Sequence, residues 1–200
     1  VAIFATPAPE ISDSDIRILY LHGLKGSPAG AKALHLRAVW KAKSPTLRTQ
    51  AMLDLQEKYS HRPWAEVPRE ELAEALAPAY EDACAAVRYF DPDVVVGSSL
   101  GGALLAKMVM EERWGGNCVF LAPAIDALLG DVSLPEMRSA VWLLGECDET
   151  VPNIDNVKHC GSSGGNLLVS RDDDHRLGNA LQFGLIDCAI TTSLEISCAD

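Results

Sequence analysis

Five short runs, at residues 16–21, 93–96, 118–121, 140–144 and 166–169, are apolar at nearly every position rather than at alternate ones. A strand with two apolar faces has to be covered on both, so this pattern calls for parallel strands in a sheet flanked by helices. The stretches between the runs supply those helices. Residues 70–90 are the clearest, with Leu72, Leu76, Ala79, Ala83 and Val87 recurring at steps of three and four. Pro78 is expected to kink or split that helix. Residues 100–113 are apolar on almost all sides until Glu111, which marks a central helix packed deep against the sheet. Residues 152–160 and 177–194 read as further helices, and residues 46–52 as a weaker strand. Strand and helix in alternation define an open α/β sheet, mostly parallel, with helices on both faces.

Bulk properties narrow the function. The chain has 200 residues, 48% of them hydrophobic, enough for one substantial core, so residues 16–200 read as a single domain. Residues 1–15, with Pro7, Pro9 and three acids, read as a loose arm. The chain begins at Val1 without a Met, which leaves room for a preceding segment. A net charge of −11 repels nucleic acid and anionic membranes, and Lys41, Lys43 and Arg48 are too thin a cluster to offset it. No apolar run approaches the roughly 20 residues of a membrane span. The opening residues also lack the basic start and apolar core of a secretory signal, so the cytoplasm is the expected location. Six cysteines form no Cys-x-x-Cys pair and no zinc-like combination with histidine, so no metal is expected. Their even number leaves disulfides open. Cys84 and Cys118 sit in apolar segments and are expected to be buried and inert.

In an open parallel sheet, reactive residues gather beyond the carboxyl ends of the strands. There, after Val94-Val95-Val96, comes Gly97-Ser98-Ser99-Leu100-Gly101-Gly102, a G-x-S-x-G pattern between a strand and a buried helix. Such a turn is sharp enough to push one hydroxyl into the cleft, and it needs glycines where a side chain would strike the neighbouring strand or helix. Ser99 is the candidate nucleophile, facing the positive end of a helix dipole. The strand before it and the helix after it set this motif apart from an ordinary Gly/Ser turn.

A serine hydroxyl reacts only when a base removes its proton. His175, in Asp172-Asp173-Asp174-His175-Arg176-Leu177, follows the last strand and shares the sheet edge with Ser99. His159 falls inside an expected helix, and it reads with His61 and His35 as a surface histidine. The base needs an acceptor for its other ring nitrogen, and Asp148 follows the fourth run, giving the chain order Ser, Asp, His. Glu146 and Glu149 stand close enough to serve on spacing alone. The three aspartates before His175 read as a solvated acidic loop. Two backbone amides must stabilise the oxyanion, one from Leu100 and one from the loop Leu21-His22-Gly23-Leu24, where Leu24 is the candidate. His22 is read as a support for that turn.

These residues resemble the α/β-hydrolase superfamily, and within it the small, nearly lidless esterases of the YqiA-like group. The resemblance spans residues 16 to about 177. It is carried by Tyr20-Leu21-His22-Gly23, Ser27-Pro28 and Lys32-Ala33, by Val96 through Gly102, by Leu121-Ala122-Pro123-Ala124 and by Asp174-His175. It implies a three-layer fold with a shortened sheet of about six strands, no large cap domain, hydrolysis of small esters and no cofactor. Residues 125–137 and 54–68 are the only room for a lid. Where such relatives often carry an aromatic residue after His-Gly, this chain has Leu24, which preserves the amide and alters the acyl pocket. Leu24, Leu100, Ile125 and Leu128 are candidate pocket walls, with Leu128 and Leu129 equally readable as core. The expected function is a serine carboxylesterase acting on short- to medium-chain acyl esters through an acyl-enzyme. A thioesterase or lactonase would use the same parts. A hydrolase-like protein that binds or signals with little turnover is the rival from another class. The expected partner is a small-molecule ester, and the sequence sets no oligomeric state.

Overall fold

The computed structural model describes residues 16–59 and 62–198. The expected arm, residues 1–15, and His61 lie outside the described residues. Five parallel strands, β1 (Ile18–Leu21), β2 (Val94–Ser98), β3 (Asn117–Leu121), β4 (Val141–Gly145) and β5 (Asn166–Ser170), form a sheet in that spatial order. Each coincides with one apolar run to within two residues at its ends. The first four are buried at nearly every position, as coverage on both faces requires. β5 is an edge strand, and there half-buried and exposed residues alternate.

Residues 46–52 do not form a strand, because helix α2 (Gln50–Lys58) begins among them. A sixth strand survives only as one parallel bridge between Lys43 and Leu19. In it the Tyr20 amide donates to the Lys43 carbonyl at 2.8 Å and the Lys43 amide to the Ile18 carbonyl at 2.9 Å. The next residue with the same orientation is Pro45, which has no N–H to extend the ladder.

The remaining helices are α1 (Ala31–Trp40), α3 (Arg69–Phe90), α4 (Leu100–Met110), α5 (Ile125–Leu129), α6 (Asn153–Ser162), α7 (Gly178–Gln182) and α8 (Leu185–Ser197). α3 runs for 22 residues through Pro78 without dividing. Its apolar face, Leu72, Ala75, Leu76, Ala79, Ala83 and Val87, is buried along its whole length, and that packing outweighs one missing hydrogen bond. The expected helix 177–194 is two helices instead, divided at Gly184, where φ is +73°. Among the described residues the expected lid segments hold only the last turn of α2, a single 3-10 turn, Trp64–Glu66, and α5, so there is no large cap.

The strands alternate their side chains between two cores. Leu19, Leu21, Val95, Cys118, Phe120 and Trp142 meet α2, α3, α4 and α6 on one face. Ile18, Tyr20, Val96, Val119, Leu121 and Leu143 meet α1, α7 and α8 on the other. From β1 the chain passes outward through α1 to Lys43, then returns along the opposite face through α2 and α3 to β2. The direction of winding therefore reverses between β1 and β2, and their carboxyl ends open the crevice where ligands of such sheets bind.

Candidate functional site

Ser99 stands at the head of α4 with φ 53° and ψ −112°, a region that costs a non-glycine residue on the order of 1–3 kcal/mol. Three hydrogen bonds hold it there. Its amide donates to the Leu121 carbonyl at 3.0 Å, and its carbonyl accepts from the amides of Ala103 and Ala124, each at 3.1 Å. The motif glycines answer to specific neighbours. A Cβ on Gly97 would lie 2.5 Å from the Gly101 carbonyl oxygen, one on Gly101 2.0 Å from that of Leu21, and one on Gly102 2.5 Å from the Pro123 Cβ. Gly97 lets β2 turn sharply into α4, Gly101 lets α4 approach the end of β1, and Gly102 lets it approach Pro123 beyond β3.

The structure brings Ser99, His175 and Asp148 into one line. His175 Nε2 lies 2.9 Å from Ser99 Oγ, and His175 Nδ1 lies 2.8 Å from Asp148 Oδ2. An ionised carboxylate only accepts, so Nδ1 carries the proton and Nε2 is left to receive the serine hydroxyl. The Asp148 side chain is fully buried, while that of His175 is 18% exposed. Burial opposes ionisation of Asp148, but hydrogen bonds from His175 and from the Val151 and Thr150 amides outweigh it and hold the carboxyl below its ordinary range.

Of the three neighbouring acids, Asp148 is the one whose carboxylate meets the histidine. Asp148 Oδ1 accepts the Thr150 amide at 2.8 Å and the Val151 amide at 2.9 Å, turning its own loop and leaving Oδ2 for the histidine. Glu146 points elsewhere, accepting the Asp172 amide at 3.2 Å, and Glu149 is exposed. The local signal was an aspartate two and three residues before a Thr-Val-Pro turn.

The aspartates before His175 are not all solvated. Asp173 is buried at 4% exposure, where it accepts from Ser170 Oγ at 2.9 Å and the Ala180 amide at 2.8 Å, while its carbonyl accepts the Cys147 amide at 2.8 Å. It ties the histidine loop to β4, β5 and α7. Gly145, at the end of β4, matters for the same loop, although no motif marks it in the sequence. A Cβ there would stand 2.5 Å from the Asp174 carbonyl oxygen and 2.7 Å from that of Asp173.

His159 is not at the surface. It is 2% exposed, pairs through Nε2 with Asp126 of α5 and stacks near Trp142. It lies in a helix, as expected, but on the side of α6 that faces the sheet. His35 is also tied inward, its Nε2 2.9 Å from Asp187 Oδ2 on α8.

On the other side of the crevice, Gly23 abuts the serine. A Cβ on it would lie 3.3 Å from Ser99 Cβ and 3.8 Å from Oγ. His22 is buried, and its Nδ1 lies 2.9 Å from the Gly23 carbonyl oxygen, closing the turn. Among the described residues the Leu24 amide has no backbone acceptor. Leu100 opens α4, where the first amides of a helix lack intrahelical partners. Leu100, Ile125 and Leu128 are buried in the core over this face of the sheet, with Leu24 and Leu129 packed half-buried against it. All six cysteines are free; Cys84 and Cys118 are buried, and burial pushes the Cys118 thiol up to about 12. Among the described residues no cluster of His, Cys, Asp or Glu could hold a metal, and no helix is long and apolar enough to cross a membrane.

No protein-family model matches this chain, and no curated protein matches it in sequence. Solved structures do match. A protein placed in the α/β superfamily of hydrolases, from Xanthomonas campestris pv. campestris, is 20% identical with a TM-score of 0.61, over 92% of this chain and 99% of that one. An α/β serine hydrolase homologue from Coxiella burnetii is 11% identical with a TM-score of 0.56, over 90% and 85%. A metagenome-derived lipolytic enzyme is 16% identical with a TM-score of 0.52, over 86% and 92%. The chain has the α/β-hydrolase fold.

Proposed function

We propose that this protein is a serine carboxylesterase that cleaves short- to medium-chain acyl esters. The observation that carries the reading is the unbroken line from Ser99 Oγ through both ring nitrogens of His175 to the buried, ionised Asp148. Fold alone would support no activity. The fold neighbours described as hydrolases, a serine hydrolase homologue and a lipolytic enzyme are consistent with the reading.

His175 Nε2 takes the hydroxyl proton as Ser99 Oγ attacks the ester carbonyl, and the imidazolium that forms is stabilised by Asp148. The carbonyl oxygen becomes an oxyanion, which the amides of Leu24 and Leu100 are suited to receive on either side of the serine. One such donor typically contributes a factor of about 10² to 10³ in turnover. His175 then returns its proton to the departing alkoxide, leaving an acyl group on Ser99. Water, deprotonated by the same nitrogen, releases the acid. Leu24, Ile125 and Leu128 are the proposed walls for the acyl chain.

The test is labelling by a fluorophosphonate together with hydrolysis of p-nitrophenyl butyrate. Wild-type protein is expected to label and to turn over, and Ser99→Ala to do neither while keeping its circular dichroism. Folded wild-type protein that resists the probe would overturn the reading. A chain-length series of esters, thioesters and lactones then ranks the substrate class.

A further inference from the structure

Helix α5 carries Ile125 and Leu128, two of the proposed acyl walls, yet its five residues are too few to hold a helix by themselves. Other elements fix it. At its start the Ala124 amide donates to the Ser99 carbonyl at 3.1 Å, so α5 leaves directly from behind the nucleophile. Farther along, Arg69 Nη1 reaches the Ala127 carbonyl at 3.5 Å, and Lys158 Nζ reaches Asp131, just past the helix, at 3.4 Å; both ties are exposed and contribute little. A third is buried. His159, 2% exposed on α6, donates from Nε2 to the carboxylate of Asp126, which can only accept.

His159 is itself firmly seated. Its ring lies 6.4 Å from that of Trp142 on β4, nearly parallel to it, and Trp142 stacks on Phe120 of β3 at 4.3 Å. At the other end of α6, Asn153 Nδ2 donates to the Gly145 carbonyl of the same strand at 2.7 Å. Helix α6 is therefore braced on β4 at both ends, and α5 leans on it through one buried hydrogen bond. We propose that His159 is a positioning residue for acyl-chain specificity, holding α5 through Asp126 so that Ile125 and Leu128 wall the site. The proposal rests on the esterase reading and adds what fixes the depth of its pocket. Asp126 follows Ile125 and stands two residues before Leu128, so the place of its carboxylate sets the place of both side chains. Without the imidazole that carboxylate, already 24% exposed, turns to water and α5 shifts with it. Ser99 keeps its own bonds to Leu121, Ala103 and Ala124, so attack on the smallest esters does not depend on the tie.

The test compares p-nitrophenyl acetate with the butyrate, whose two further methylenes are worth up to about 15-fold when a wall covers them. In His159→Leu the ratio of kcat/KM for butyrate to that for acetate is expected to fall about 5- to 15-fold, carried by KM for butyrate. The kcat for acetate and the rate of fluorophosphonate labelling should stay within about threefold of wild type. His159→Gln keeps an N–H near the place of Nε2 and Asp126→Asn keeps an acceptor, so each should hold the ratio to within about twofold. Asp126→Ala should reproduce the loss from the side of α5 and add little to His159→Leu in the double variant. Lys158→Ala, which removes only an exposed tie, should change nothing. Circular dichroism checks folding, and Asp126→Ala carries the test if His159→Leu does not fold. Folded variants with an unchanged ratio would overturn the proposal and leave the esterase reading standing, and so would equal losses on both esters, the mark of a structural contact alone. Wild-type protein that neither labels nor turns over would overturn the esterase reading and this proposal with it.

Discussion

Gly145→Ala offers the sharpest perturbation of the site, because it touches neither Ser99 nor His175 and its effect can be worked from distances. The new Cβ would stand 2.5 Å from the Asp174 carbonyl oxygen, whereas ordinary contact begins at 3.4 Å. The end of β4 and the histidine loop must therefore part by about 0.9 Å, with Asp173 resisting through its bonds to Ser170, Ala180 and Cys147. His175 is the next residue after Asp174, and its Nε2 sits 2.9 Å from Ser99 Oγ. A shift of that size takes the contact beyond hydrogen-bond range. Misplacement by about 1 Å costs roughly 10²-fold in rate, or about 2.7 kcal/mol of transition-state stabilisation. Overpacking should also lower global stability by about 1–3 kcal/mol. The assay is kcat on p-nitrophenyl butyrate and the rate of fluorophosphonate labelling, beside a thermal melt. Gly161→Ala is the control: it lies in α6, where a Cβ meets nothing within 4 Å, and it should leave activity unchanged while gaining up to about 1 kcal/mol of stability. A folded Gly145→Ala protein with kcat within about threefold of wild type would refute the link between this contact and histidine placement.

Asp148→Asn should lower kcat by about 10³- to 10⁴-fold, since an amide can donate to the histidine and favour the wrong tautomer, while Glu146→Gln and Glu149→Gln stay near wild type. The same residue sets an acid dependence. Because its folded pKa is depressed, its contribution to stability is present above the ordinary aspartate value near 3.9 and is lost as pH falls through the lower folded value. Urea unfolding from pH 5 downward should therefore show a steeper loss in wild type than in Asp148→Asn, and equal slopes would remove that assignment. In a thiol titration of native protein, Cys147, Cys188 and Cys198 should react promptly, and Cys84, Cys118 and Cys160 only on unfolding.

Much of this was legible in the sequence, for local reasons. Parallel strands covered on both faces need apolar residues throughout, so the five runs were visible without knowledge of their neighbours. The serine turn was visible because its backbone demands glycines at fixed offsets, and each of them meets a neighbour at 2.0–2.5 Å. What tertiary structure decided were contacts between segments far apart in the chain. The sixth strand shrank to Lys43 because its extension depended on pairing with β1 and met Pro45. His159 and Asp173 looked like surface residues until α5, α7 and β5 supplied their partners. Asp148 differs from Glu146 and Glu149 by where the closed loop directs its carboxylate. Periodicity and backbone geometry are written residue by residue, whereas burial and hydrogen-bond pairing belong to the whole fold, so Ser99 stands out from its own neighbours, whereas Asp148 is one of three acids that spacing allows until the loop closes on His175.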